Sequence, residues 1–148
     1  MARAKITGLG KSKGQVGLDF HLDDGDYLIK KDGGVEGQTK GGLLQYTFKH
    51  TILEGPVQQD AKEVQGMPWT MFFTLLDSEH EYYQIGVDKL KNYCNAAGIA
   101  VRADSIDPDE GNGAEFVMHV TNKARKDTGE IQSNAVAFFA VEDSSYAA

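Results

Sequence analysis

The chain is poor in the residues that build disulfide frameworks, zinc sites and membrane spans. Its 148 residues include one cysteine, three prolines, one tryptophan and four histidines. A lone Cys94 cannot form an internal disulfide, and zinc knuckles need several Cys or His ligands at short spacing. No window approaches the ~20 apolar residues of a membrane helix, and the first residues lack the apolar stretch of a signal peptide. We therefore expect a reduced, cytoplasmic protein that is not bound to a membrane.

Acidic residues outnumber basic ones, but the two kinds are unevenly spread. Fifteen Lys and Arg against 22 Asp and Glu give a formal net charge of -7. Residues 1–50 nevertheless carry a net charge of +2, whereas residues 51–100 and 101–148 carry -4 and -5. Because the local field at a groove governs contact with a polyanion, the acidic total does not exclude nucleic acid as a partner. It predicts modest affinity that falls steeply with salt.

Hydrophobic patterning predicts a mainly β domain with one short helix. Polar and apolar residues alternate from Gln45 to Ile52, as in a half-buried strand. Apolar residues recur at helical spacing from Val87 to Ala97, and Gly98 ends that helix. The predicted elements are, in order, strands at Asp26–Lys31, Gln45–Ile52 and Trp69–Leu76, a helix at Val87–Ala97, and strands at Glu115–Thr121 and Ile131–Val141, the last two forming a hairpin.

Three leading strands, a helix and a closing hairpin follow the order of the OB-fold, a five-stranded Greek-key barrel with one short helix between strands 3 and 4. Other five-stranded barrels and α+β meanders share this order. The Gly-rich run from Gly33 to Gly42 predicts a long mobile loop, and the apolar third strand predicts a central strand covered on both faces. We divide the chain into a basic, Gly-rich N-terminal arm at residues 1–22, an OB-like barrel domain at 23–141 and a short, polar, frayed tail at 142–148.

The sequence contains no convincing catalytic set. The four histidines are scattered without ligand-like spacing, and the phosphate-loop pattern fails because Lys5 stands five residues before Gly10, where a glycine is required. The acidic run from Asp107 to Asn112 is out of register for a calcium-binding EF-hand loop. We therefore expect a protein that is not an enzyme and that needs no cofactor and no metal.

Aromatic residues interleaved with basic ones indicate a surface for single-stranded nucleic acid. Such surfaces stack bases on aromatic rings and contact phosphates through Lys or Arg. The phenylalanines are expected to fill the core of a small barrel. Tyr27, Tyr46 and Trp69 are expected to be exposed because Tyr and Trp tolerate partial exposure to solvent. The candidate nucleic-acid-binding residues are Tyr27, Lys30, Lys31, Tyr46, Lys49, Trp69, Lys123, Arg125 and Lys126.

Residues of the helix and of the last strand also carry a resemblance to a known family. The resemblance is carried by Tyr83-Gln84-Ile85-Gly86-Val87, by Leu90, Cys94, Ala96, Ala97 and Gly98, and by Ser133-Asn134 at the start of the last strand. Over residues 24–141 these features are similar to phage single-stranded-DNA-binding proteins of OB-fold type. The resemblance implies a role in phage-type DNA replication or recombination in the host cell cytoplasm. Single-stranded DNA, replication or recombination proteins and further copies of the chain would be its partners.

The last residues of the chain depart from the pattern of that family. Many such DNA-binding proteins end in an acidic tail that recruits replication proteins, whereas residues 142–148 carry only two acids. Recruitment through the tail is therefore not expected. The alternative function is a structural or protein-interaction β module of a phage, which oligomerises or binds a protein partner.

Overall fold

Five antiparallel strands and one helix make up the part of the chain that the structure describes. The computed structural model describes residues 21–124 and 126–147. The strands are β1 (Gly25–Gln38), β2 (Leu44–Glu54), β3 (Pro68–Thr74), β4 (Glu115–Ala124) and β5 (Ile131–Phe139), and the helix α1 (Tyr83–Ala97) lies between β3 and β4. The prediction of a mainly β fold with one short helix after the third strand is confirmed. Of the predicted N-terminal arm, all but His21 and Leu22 lies outside the described residues.

The strands form one open antiparallel sheet in the order β3-β2-β1-β4-β5. The central strand, β1, pairs with β4 from Gly25 to Lys30 and with β2 from Leu28 to Gln38. Its register with β2 shifts after Leu28 and again after Lys31. Such β-bulges bend a strand and increase its twist, so one long strand can serve both halves of a curved sheet.

The prediction of a long mobile loop from Gly33 to Gly42 is wrong. Residues Gly33 to Gln38 continue β1 and pair with β2, so only a short turn joins the two strands. Gly34 lies so close to the ring of Phe48 that a Cβ atom built on it would lie 2.6 Å from that ring. Glycine at this position therefore allows close approach of ring and backbone.

The prediction that the third strand is central and covered on both faces is also wrong. β3 lies at one end of the sheet order and pairs with β2 along one edge. Met71 and Phe73 are buried, whereas Phe72 between them is 63% exposed. The apolar run is thus a half-buried edge strand whose outward residues are an aromatic ring and threonines.

Tyr93 of α1 lies at the centre of the core. Its ring centroid is 4.5 Å from that of Phe48, 5.1 Å from Phe73, 5.2 Å from Phe138 and 5.4 Å from Phe116. All five side chains are buried. These rings come from β2, β3, β4 and β5. The helix therefore packs against residues from both ends of the open sheet, β3 and β5, in one aromatic cluster.

The helix end was correctly predicted, and the chain end is more ordered than expected. α1 begins at Tyr83, four residues before its predicted start, and ends at Gly98, whose φ of 77° is the left-handed cap conformation that glycine favours. After β5, Val141–Asp143 form a 3-10 turn. The hydroxyl of Tyr146 donates to the carbonyl oxygen of Asp26 at 2.6 Å, so the described part of the tail returns to β1 and is not frayed there.

Candidate nucleic-acid interface

The side chains of β1, β2 and β3 that point away from the core form a surface that we call the outer face. Its residues are Lys30, Asp32, Val35, Thr47, Lys49, Thr51, Thr70 and Phe72. The register places Val35 opposite Thr47, and Thr47 opposite Phe72. Directly opposite residues have Cβ atoms about 4.5 to 5.5 Å apart, and diagonal neighbours about 7 to 8 Å. Lys49, which is opposite Thr70, is therefore a diagonal neighbour of Phe72.

Phe72 is the candidate functional residue that the sequence interpretation missed by assigning it to the core. Its ring is 63% exposed. Because side chains alternate along a strand, the pair Phe72-Phe73 must place one ring on each face of the sheet. This alternation in the sequence could have predicted that one of the two rings is exposed. It was overlooked because the strand was expected to be covered on both faces. An exposed ring beside Lys49 can stack on a base while the ammonium group contacts a phosphate.

Lys30 and Lys49, two of the candidate binding residues, both lie on the outer face. Lys49 is exposed and Lys30 is half-exposed. The carboxylate of Asp32 accepts a hydrogen bond from the hydroxyl of Thr51 at 2.6 Å and lies 4.0 Å from the ammonium of Lys30. The carboxylate of Asp26, on the same side of β1, lies 2.7 Å from Nδ1 of His119. Ammonium groups and carboxylates therefore both occur on this side of the sheet, where Lys30 also lies opposite Glu115 of β4.

Lys123 and Lys126 lie elsewhere on the sheet. Both are exposed, and Arg125, the third predicted cation of this turn, lies outside the described residues. Lys123 pairs with Gln132 where β4 and β5 approach their hairpin turn. These cations therefore belong to the β4–β5 pair, on the other side of β1 from Lys49. The structure brings the predicted cations to two surfaces.

The exposure predicted for two of the candidate aromatic residues is wrong. Tyr27 is fully buried and Tyr46 is 5% exposed. The hydroxyl of Tyr27 donates to the carbonyl of Asp23 and accepts from the amide of Gln58, and that of Tyr46 donates to the carboxylate of Glu36 at 2.9 Å. These partners satisfy the polar atom of each ring, so both rings pack in the core. Neither ring can stack on a base from there.

Lys31 is fully buried, so the assumption that its ammonium faces solvent is wrong. The ammonium donates to the carbonyl oxygen of Pro108 at 2.7 Å and to the amide oxygen of Asn112, and it lies 5.6 Å from the ring centroid of Phe48. Burial lowers its pKa. Lys31 therefore holds the acidic segment that follows α1 against β1 and is not available to a phosphate.

Trp69 is half-buried at the start of β3 and borders a cleft. The cleft, of about 150 Å³, lies between β3 and β5 and is also lined by Lys89, Ser133 and Asn134. The indole nitrogen is buried and has no hydrogen-bond partner among the described residues. Since Trp69 lies on the same side of β3 as Met71 and Phe73, its ring belongs to the inner side of the strand and not to the outer face.

The buried imidazole of His50 and the buried thiol of Cys94 are held in neutral forms. The Nδ1 of His50 donates to the carbonyl of Trp69 at 2.9 Å, and its Nε2 accepts from the hydroxyl of Tyr93 at 2.7 Å. Burial lowers the pKa of His50 to about 4 and raises that of Cys94 to about 11. A neutral imidazole and a protonated thiol with these partners stabilise the core and are poorly suited to acid–base or nucleophilic chemistry near neutral pH.

Metal-ligand clusters and membrane-spanning helices are both absent from the described part of the chain. Within residues 21–124 and 126–147, no three His, Cys, Asp or Glu side chains are grouped so that they could hold a metal ion. No helix in that part of the chain is long and apolar enough to cross a membrane. No protein-family model matches the chain, and no curated protein matches its sequence.

Proposed function

We propose that the chain is a non-enzymatic, sequence-tolerant single-stranded-DNA-binding protein whose main binding surface is the outer face. The observation that carries the proposal is the exposure of Phe72, at 63%, with Lys49 as its diagonal neighbour on the outer face. Surfaces that bind single strands without sequence preference combine these two residue types. The resemblance to phage single-stranded-DNA-binding proteins supports the same function.

Binding in this proposal combines stacking with phosphate contacts. A base stacked on Phe72 contributes about 1 to 3 kcal/mol. Lys49 and Lys30 contact the phosphates of the same strand and release counterions, so affinity falls as salt rises. Lys123 and Lys126 offer a second set of phosphate contacts on the neighbouring strand pair. No bond of the DNA is made or broken.

We also propose that the sheet closes into an OB-like barrel. In an OB-fold, the face of strands 2 and 3 and the loops between strands 1 and 2 and between strands 4 and 5 bind oligonucleotides. Bringing β3 beside β5 would close the observed sheet order into a five-stranded barrel, and both strands already border one cleft and contact α1. In such a barrel Lys49 and Phe72 lie on strands 2 and 3, and Lys123 and Lys126 lie at the 4–5 loop.

We place this activity in phage-type DNA replication or recombination, in the cytoplasm of the host cell. Single-stranded DNA is exposed during both processes. A protein that stacks on bases and contacts phosphates can bind such strands whatever their sequence. The partners in this setting are single-stranded DNA, replication or recombination proteins and further copies of the chain.

A fluorescence titration with an unstructured, labelled oligonucleotide tests the proposal. Phe72→Ala is expected to lower the affinity by roughly 5- to 150-fold, the loss of one stacking contact. Phe139→Ala is the matched control because it removes a ring that is 39% exposed on β5, and it should change the affinity less than twofold. Absence of binding by the wild type at micromolar protein and low salt would contradict the proposal.

Salt titration separates the phosphate contacts from stacking. Removing one cation that neutralises a phosphate reduces the slope of log affinity against log salt by about 0.7 for a single strand. We expect this change for Lys49→Gln and an unchanged slope for Lys91→Gln, which removes an exposed lysine from α1. Wild-type binding that is indifferent to salt would count against a phosphate-contacting site.

A protein-interaction module is the second candidate function. It is favoured by the exposure of two apolar side chains in one row, Val35 at 62% and Phe72 at 63%, on a face that includes an edge strand. In that case Phe72→Ala would reduce self-association or partner binding in sedimentation experiments. Single-stranded DNA would then give no increase in melting temperature, whereas a DNA-binding protein is stabilised by its ligand.

A further inference from the structure

Lys31 and Asn112 meet in a side-chain contact that the proposed function does not use. Lys31 lies in the middle of β1 and is fully buried, and its ammonium group donates to the side-chain amide oxygen of Asn112. The two residues are 81 positions apart in the chain. The fold thus holds a primary amine against a carboxamide, and these two groups can condense to a secondary amide.

The surroundings of Lys31 favour the unprotonated, nucleophilic form of its amine. Burial lowers the pKa of Lys31, although the charges of Asp109 and Asp107 act in the opposite direction. The ring centroid of Phe48 lies 5.6 Å from Nζ. Lysine amines in apolar surroundings are activated as nucleophiles because desolvation disfavours the charged form. The carboxylates of Asp109 and Asp107 act on this ammonium group, so they can accept the proton that it must lose.

Asn112 is held in place as the electrophile. The backbone amide of Gly113 donates to the carbonyl oxygen of Lys31 at 2.7 Å, and the amide of Lys31 donates to the carbonyl oxygen of Ala114 at 2.9 Å. These bonds fix the segment beside β1, and reactions between groups held in this way are strongly accelerated. Asn112 is exposed, and its amide nitrogen has no hydrogen-bond partner among the described residues, so ammonia can leave from it to solvent.

We propose that Lys31 and Asn112 form an intramolecular isopeptide bond after the chain has folded. The ammonium group of Lys31 gives one proton to the carboxylate of Asp109 or Asp107, and the lone pair of Nζ attacks Cγ of Asn112. As the Nζ–Cγ bond forms, the Cγ–Nδ2 bond breaks. Nδ2 takes a second proton from Nζ and leaves as ammonia, which then takes up the proton held by the carboxylate. The inference goes beyond the proposed function and does not depend on DNA binding.

The bond would give the chain a covalent crosslink that is insensitive to reductants. With Cys94 as its one cysteine, the chain cannot form an internal disulfide. An amide between Lys31 and Asn112 would join β1 to the segment that follows α1. A crosslink between distant residues restricts the unfolded chain and so stabilises the folded one. Hydrogen bonds hold this segment before the reaction, and the amide holds it afterwards.

Intact-mass spectrometry of the purified wild-type chain, before and after incubation at neutral pH, tests the inference. We expect the mass to fall below the sequence mass by one ammonia molecule. Digestion with trypsin should then release a branched peptide in which Lys31 is joined to Asn112. Lys31→Arg, which keeps a cation but has no primary amine, and Asn112→Ala should both keep their full sequence masses. Lys91→Arg, at an exposed lysine of α1, is the matched control and should lose ammonia as the wild type does.

A second reaction that releases ammonia has to be distinguished. Asn112 precedes Gly113, and cyclisation of an Asn-Gly pair to a succinimide gives the same change in mass. That reaction needs the amide nitrogen of Gly113, which already donates to Lys31, and it does not need the amine of Lys31. Loss of ammonia that persists in Lys31→Arg would therefore overturn the inference. A wild-type chain that keeps its full sequence mass after incubation would overturn it without reference to any variant.

Discussion

Adjacent residues of the same type lie on opposite sides of the sheet in two places. Phe73 is 7% exposed and packs against Tyr93, whereas Phe72 is 63% exposed on the outer face. Lys31 is fully buried, whereas Lys30 is half-exposed. Successive side chains of a strand point to opposite faces. A shift of one residue along the strand therefore decides whether a ring or an ammonium group is buried in the core or exposed to a ligand. The inner and outer faces of β1, β2 and β3 thus use the same residue types for different purposes.

The largest difference between the two faces should appear when the paired phenylalanines are truncated. Phe73→Ala removes a ring from the aromatic cluster and is expected to lower the free energy of unfolding by about 3 to 5 kcal/mol. Phe72→Ala removes an exposed ring and is expected to cost less than about 1 kcal/mol. Urea denaturation at neutral pH measures both values. Equal losses would mean that the outer ring is also part of the core.

The inner face should also make stability depend on pH through His50. Its pKa is about 4 in the folded chain against 6.5 ordinarily, so the unfolded chain binds more protons between these values. The contribution of neutral His50 to the free energy of unfolding is therefore complete above pH 6.5 and is lost as the pH falls. At pH 4 the loss from this group is about 3 kcal/mol.

Urea denaturation as a function of pH tests the role of His50. His50→Gln removes the titrating group and should flatten this group's part of the slope between pH 6.5 and 4. His80→Gln, at an exposed histidine between β3 and α1, should leave the slope as in the wild type. A slope that is unchanged in His50→Gln would show that other groups cause the acid sensitivity.

The smallest of the three differences concerns the two lysines of β1. Lys31→Met leaves the acceptors on Pro108 and Asn112 without their donor, which is expected to cost about 2 kcal/mol. The segment after α1 should then exchange its amide hydrogens faster. Lys30→Met is expected to change the free energy of unfolding by less than about 0.5 kcal/mol. If Lys31→Met were neutral in stability and in hydrogen exchange, Lys31 would not hold this segment.

The elements predicted correctly are those with a clear local period. The alternation from Gln45 to Ile52 predicted β2, the stripe from Val87 to Ala97 predicted most of α1, and the hairpin pairs as expected. In each case the pattern reflects burial against one neighbouring layer, which a window of about ten residues can record.

The failures occurred where pairing between distant residues decides the outcome. The run after Gly33 is rich in glycine, yet it forms a strand because the backbone of β2 lies beside it and Phe48 packs over Gly34. The apolar sequence of β3 predicted a strand buried on both faces. β3 instead lies at one end of the sheet, and the side chain of Phe72 is exposed to solvent. Sheet order and register are long-range properties, so neither could be read from the local sequence.

The candidate site divides in the same way. The exposure of Lys49, Lys123 and Lys126 agrees with the sequence interpretation because charged side chains in alternating strands and turns usually face water. Tyr27 and Tyr46 can be buried because other groups satisfy their hydroxyls. Asp23 is a near neighbour of Tyr27 in the chain, but Gln58 is 31 positions away from it, and Glu36 reaches Tyr46 across the β1–β2 pair. Composition cannot show such partners.

The sequence alone was enough to predict a mainly β fold, the helix α1, the closing hairpin and the presence of aromatic and basic residues on neighbouring strands. These follow from side-chain periodicity and composition, which each segment carries locally. The tertiary structure decided which ring of Phe72 and Phe73 faces water, which lysine of Lys30 and Lys31 is buried, and that Val35, Thr47 and Phe72 form one row. Those outcomes depend on strand order and register, which are set by contacts between residues far apart in the chain.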